Sequence, residues 1–174
     1  MKLFKPLAVA CLLILSGCAS NIPPVLLMPE NIDVRSTPLT DRSLGEINVE
    51  VSESNVDSYI NAENFSFALK ETLIRSRIFG GSENEQINID ANIVEADFPD
   101  VGSTMKSTLG VHYVISGENG HVLLDETITY TGEASGGEEF YGSARSLLAL
   151  KRAQQGHFDL LISSIENALS PEAE

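Results

Sequence analysis

Two alternating runs flank the dipeptide Asn119-Gly120, and no other feature constrains the fold as strongly. Asn-Gly accepts positive φ at both centres of a tight turn, whose twist matches that of paired strands. Met105 to Ile115 places Met105, Leu109, Val111, Tyr113 and Ile115 on one face, and a returning strand runs from His121 to Ala134. A two-residue loop sets Glu118 opposite His121. Ile115 then faces Leu124, Val111 faces Ile128 and Leu109 faces Tyr130. Turn chemistry and apolar pattern thus agree on one register. Tyr113 opposite Glu126 is the discordant pair.

Upstream, Glu46 to Ser52 alternates with Ile47, Val49 and Val51 on one face, which predicts a strand. A polar loop leads to Asn61, a suitable N-cap. Phe65, Ala68, Leu69, Thr72, Leu73 and Ser76 then share one helical face. Arg75 and Arg77 suit the last turn, where positive charge complements the helix dipole. Gly80-Gly81 is expected to end this helix. Ile87, Ile89, Ala91 and Ile93 alternate again, after which the phase flips to Val94, Ala96 and Phe98. One extra residue in an alternating run signals a β-bulge, placed near Ile93-Val94. Pro99 ends the strand.

Ala134 to Glu139 is a Gly-rich acidic loop, followed by a long helix over Ser143 to Leu169. Its second half carries Phe158, Leu161, Ile162, Ile165, Ala168 and Leu169 on one stripe. Gln154 and Gly156 disturb the first half, so a kink or two helices is open there. The order β-α-β-β-β-α predicts an α+β fold, an antiparallel-rich four-stranded sheet with two helices packed on one face. No internal repeat is present.

The first residues carry a different message. Lys2 and Lys5 precede an apolar run from Leu7 to Leu15, far shorter than the ~20 residues of a membrane-spanning helix. That combination predicts a secretory signal over residues 1–17. The run closes Leu15-Ser16-Gly17-Cys18, which resembles the lipobox of bacterial lipoproteins. The resemblance implies cleavage before Cys18, a diacylglycerol on its thiol and a further acyl chain such as palmitate on its amine. Each buried CH₂ contributes ~0.8 kcal/mol, so several chains anchor a protein stably. Ala19, where a retaining aspartate would otherwise stand, points to the outer membrane and its periplasmic side. Residues 18–45 form a Pro-containing tether and irregular segment, although Val25 to Met28 is apolar enough to lie on the domain. Residues 46–169 make one domain, and 170–174 fray.

Cys11 leaves with the signal, so Cys18 has no disulfide partner in the mature chain. Formal net charge is −14, and loss of Lys2 and Lys5 makes the body more acidic still. Such a surface repels phosphate and argues against nucleic acid as a partner.

The lipobox, the Leu27-Met28-Pro29 approach, the helix from Phe65 to Arg77, the hairpin around Gly117 to Gly120 and the closing helix resemble small YajG-type outer-membrane lipoproteins. The same plan is similar to auxiliary lipoproteins of envelope ABC transporters and to the lipopolysaccharide-assembly lipoprotein. These resemblances imply a periplasm-facing protein that binds an envelope protein or a lipid, or scaffolds an assembly, without catalysis.

No catalytic constellation is expected. His112, His121 and His157 fall in a strand, a hairpin end and a helix, without metal-ligand spacing, so neither metal nor cofactor is predicted. No Ser-elbow or P-loop occurs. Glu138, Glu139, Asp97 and Asp100 are the candidate carboxylates for a different reading, a periplasmic enzyme acting on envelope glycans or lipids, or for a Ca²⁺ site. Convergent, pKa-perturbed carboxylates in a pocket would favour the enzyme; an open apolar groove or exposed edge would favour binding.

Overall fold

A computed structural model describes residues 28–52, 60–98 and 102–170. Six elements follow one another: β1 (Thr40–Val51), α1 (Ala62–Ser76), β2 (Phe79–Asp97), β3 (Thr104–Gly117), β4 (Val122–Ser135) and α2 (Gly142–Leu169). The described strands form one sheet in the order β1-β2-β3-β4. β1 and β2 run parallel, joined by the α1 crossover, while β2-β3 and β3-β4 are antiparallel. The architecture is mixed α+β with both helices on one sheet face. Phe65 of α1 stacks on Phe158 of α2 at 5.5 Å, closing the core above Ile87, Ile89, Ile93, Leu109, Val111 and Tyr113.

In α1 the buried residues are Phe65, Ala68, Leu69, Thr72, Leu73 and Ser76, the face that the spacing predicts. The Asn61 side chain accepts from the Asn64 amide at 2.7 Å, satisfying one orphan donor of the first turn. The predicted stop is corrected. Arg77, not Gly80-Gly81, takes the left-handed conformation at φ 56°, and its amide donates to the Ile74 carbonyl. The Arg77 guanidinium donates to the carbonyls of Arg35 and Ser36, interactions a glycine could not make. Gly80 and Gly81 belong to β2 instead. At Gly80 the β1 backbone at Thr40 and Asp41 passes too close for a Cβ, and Gly81 has φ 82°.

β1 starts at Thr40 rather than Glu46, and β2 at Phe79 rather than Ile87. Their first pairings slip in register three times, between Thr40 and Ile47, so no clean alternation marks them in the sequence. Further along, β2 skips Val94 against β3, where the phase flip predicts the bulge.

The hairpin register holds from Leu109–Tyr130 to Ile115–Leu124, but not for the reason first given. The loop has three residues. Gly117 accepts from the Gly120 amide at 2.9 Å and donates to the His121 carbonyl at 2.9 Å, and Gly120 sits at φ 76°. This is a type I turn closed by a left-handed glycine. Glu118 therefore does not pair with His121. An extra residue at Leu123, between the pairs Ser116–Val122 and Ile115–Leu124, restores the inner register.

α2 is one continuous helix. It lies directly on β4. A Cβ at Gly132 would fall inside the Ala149 carbonyl oxygen and the Ala153 amide nitrogen, and one at Gly156 would fall inside the Tyr130 ring. These glycines are contact points between layers, so Gly156 need not kink the helix. The disturbed half of the apolar stripe has a similar explanation, since Ser146, Gln154 and His157 are themselves buried there.

Upstream of β1 the chain is tied along α2. The Leu39 amide donates to Ile78, Arg35 pairs with Glu166, Glu30 pairs with Lys151, and Met28 is buried in the core. Read backwards from β1, this segment climbs α2 from its C-terminal end toward its N-terminal half.

Candidate functional site

β4 ends at Ser135 and α2 begins at Gly142, so the intervening loop lies at the sheet end where β2 finishes and β3 starts. Glu138, Glu139 and Asp97 fall at this end, but these three do not converge on a vacant centre. One Glu138 oxygen accepts from the Ser135 amide at 2.9 Å and its hydroxyl at 3.0 Å, and the other accepts from Arg152 at 2.6 Å. Those hydrogen bonds hold the Glu138 carboxyl down to about 2, with the Arg152 bond the largest cause. A group so firmly ionised is a structural tie and not a proton donor near neutral pH. Glu139 is exposed, as is Asp97, and Asp100 lies outside the described residues.

The loop is rigidly built. Gly136 donates to Ser103 at 2.9 Å. The Arg145 guanidinium donates to the carbonyls of Glu139 and Phe140 at 2.9 Å and of Gly102 at 3.0 Å. Met105, Ala134 and Ala149 form a small apolar cluster beside it. On this support stand Phe140 and Tyr141, ring centroids 5.5 Å apart in an edge-to-face pair. They are 85% and 72% exposed, the two most exposed large apolar side chains described. Sequence reasoning missed them. The available signal was two adjacent aromatics in an otherwise polar, Gly-rich loop.

The three histidines have separate roles. His112 faces outward from β3 and meets Asp125 at 2.8 Å. His121 is exposed at the hairpin end. His157 is buried, its Nε2 2.9 Å from the Tyr113 hydroxyl. Desolvation pushes its pKa down to about 4, while a smaller backbone hydrogen-bond contribution at Leu109 opposes the shift. Burial likewise raises the Tyr113 phenol well above its ordinary value. The pair locks α2 to β3, and the pattern of the sequence gave no hint of it. Among the described residues no group of three or more His, Cys, Asp or Glu is placed to hold a metal ion.

Among the described residues, surface clefts include the following. One of about 350 Å³ at the hairpin end is lined by Arg42, Glu85, Gln86 and His121, with Arg42 paired to Glu85 at 2.7 Å. A second, of about 180 Å³, lies on the polar outer sheet face beside Asn48, Asp90 and His112. The third, about 430 Å³, runs between β4 and α2 past Tyr130, Arg152, Gln155 and Asp159. Desolvation raises the Asp159 carboxyl, the one carboxylate in these clefts with an upward shift. The lipobox residues Leu15, Ser16, Gly17 and Cys18 lie outside the described residues. Among the described helices none is long and apolar enough to cross a membrane.

No family model and no curated protein sequence matches the chain. Solved structures do. Protein XCC0632 from Xanthomonas campestris, of the DUF330 family, superposes with TM-score 0.55 and 13% identity, over 79% of this chain and 94% of that one. Hypothetical protein CT253 from Chlamydia trachomatis gives 0.54 and 10%, over 74% and 98%. A minor lipoprotein from Acinetobacter baumannii is looser, at 0.45 and 10% over 79% and 99%. What is shared is the fold. At these identities the common property is the arrangement of strands and helices, and side-chain chemistry does not transfer.

Proposed function

We propose that this chain is a lipid-anchored lipoprotein of the bacterial envelope, held on the periplasmic side of the outer membrane through Cys18. Its folded body serves as a binding or assembly component for an envelope protein or lipid, not as an enzyme. Its plan resembles that of small YajG-type outer-membrane lipoproteins, of auxiliary lipoproteins of envelope ABC transporters and of the lipopolysaccharide-assembly lipoprotein. The observation that carries the reading is the Leu15-Ser16-Gly17-Cys18 motif at the end of a short apolar run behind two lysines. The site geometry favours binding over catalysis. Glu138, the best placed of the candidate catalytic carboxylates, is committed to Arg152 and Ser135, whereas the exposed features nearby are aromatic and stand on a hydrogen-bonded loop.

The test is metabolic labelling with a palmitate analogue, followed by membrane fractionation. Wild type takes label and sediments with outer membrane. Cys18→Ser takes none and keeps its signal. Equal labelling of the two would overturn the lipid anchor, and sedimentation with inner membrane would overturn the placement.

A further inference from the structure

Phe140 and Tyr141 stand out because nothing in the fold needs them where they are. Their side chains contribute little to the core, yet the loop beneath them is tied by the Glu138–Arg152 pair and by three Arg145 hydrogen bonds. A rigid loop that holds two large aromatics in water incurs a solvation cost unless something covers them.

The course of the N-terminal segment says what lies near. From Leu39 back to Met28 the chain climbs α2, past Glu166 to Lys151, toward the end that carries the aromatic pair. Lys151 is about ten residues from Tyr141 along α2, or ~15 Å of helix. Cys18 lies about ten residues before Met28, and that length of chain reaches at most ~35 Å. The described chain therefore begins beside the half of α2 nearer the Phe140–Tyr141 end, and the ten residues back to Cys18 have enough reach for that end to touch the surface holding the lipid. We infer that Phe140 and Tyr141 seat this end of the body in the interface of the bilayer that anchors Cys18. The inference rests on the lipid-anchored reading above.

Chemistry selects the kind of lipid surface. With a net charge of −14 the protein is repelled by anionic headgroups, so the contact works through apolar insertion into a zwitterionic interface. Aromatic rings favour that depth of a bilayer, and the phenol of Tyr141 can keep its hydroxyl at headgroup level. A weak contact suffices, because the anchor already holds the rings at high local concentration over the surface. The contact would fix the orientation of the body, with the hairpin end and its cleft pointing away from the membrane.

The chain contains no tryptophan, so a single one reports without background. Phe140→Trp replaces an exposed ring by another ring and leaves the core untouched. Val122→Trp places the same probe at the hairpin end, also at an exposed position. The mature chain is coupled through Cys18 to a maleimide lipid in phosphatidylcholine vesicles, with and without bromine on the acyl chains. Chemical coupling separates this test from natural lipidation, whose failure would show in the labelling experiment instead. The expected result is a blue shift and bromine quenching for Phe140→Trp and neither for Val122→Trp. Water-like, unquenched emission from Phe140→Trp overturns the inference, as does equal quenching at both positions. A blue shift without bromine quenching overturns it in favour of a protein contact.

Discussion

Acidification tests the buried Tyr113–His157 pair. The His157 pKa is about 4 in the folded chain, against an ordinary value of 6.5. Its cause is burial of a ring that would have to carry charge in the core, beside Phe65 and Phe158. A neutral ring can accept the Tyr113 proton at Nε2 and a charged ring cannot. The sign follows from proton counting. Below pH 6.5 the unfolded chain takes up a proton that the folded chain refuses until about pH 4. Stability from this group is therefore complete above pH 6.5 and falls as the pH drops toward 4. Linkage over that interval gives a loss of about 2 kcal/mol by pH 5, several degrees in Tm for a domain of this size. The other acidic and basic groups contribute their own pH dependence, so the quantity to measure is a difference. Urea unfolding at pH 7 and pH 5 is compared between wild type and His157→Gln, which keeps a polar side chain that does not titrate. Wild type should lose about 2 kcal/mol more than the variant over that interval. Equal losses would refute the argument, and would mean that the ring is solvated or charged in the native state.

Two further perturbations test the packing. Ile128 is buried on β4 and Thr127 is exposed beside it. Ile128→Asp should cost about 3 kcal/mol or more and Thr127→Asp within ~0.5 kcal/mol, since only the first buries an unpaired carboxylate. Similar melting temperatures for the two would place the wrong face inward. Gly132→Ala pushes a methyl group into the α2 backbone at Ala149 and Ala153, which cannot rotate aside. Chemical denaturation should show a loss of about 1–3 kcal/mol, against almost none for the open loop substitution Gly137→Ala. A neutral Gly132→Ala would show that helix and sheet are not in backbone contact.

The sequence by itself determined what local periodicity can encode. The buried face of α1 from Phe65 to Ser76, its Asn61 cap, the bulge at Val94 and the inner register of β3 with β4 were all legible. Each depends on neighbours a few residues away or on strict alternation across one turn. The hairpin also shows where such reasoning can succeed by cancellation. A loop one residue longer than Asn119-Gly120 implies is offset by an extra residue at Leu123, which the apolar pattern cannot reveal because Leu123 and Leu124 are both apolar. The lipobox resemblance is of another kind, since a linear motif is recognised without any fold. Tertiary structure decided the rest. The parallel pairing of β1 with β2 brings distant segments together through irregular registers. Glu138 reads as a candidate acid until folding sets Arg152 against it. His157 reads as one more helical polar residue until α2 settles onto Tyr113. Gly156 reads as a disturbance of the helix until the Tyr130 ring packs against it. Phe140 and Tyr141 are two adjacent aromatics in a polar, Gly-rich stretch, and the folded loop is what shows them facing solvent on a hydrogen-bonded support. In each case the deciding partner is remote in sequence, and its distance and burial, on which the chemistry depends, do not exist until the layers pack.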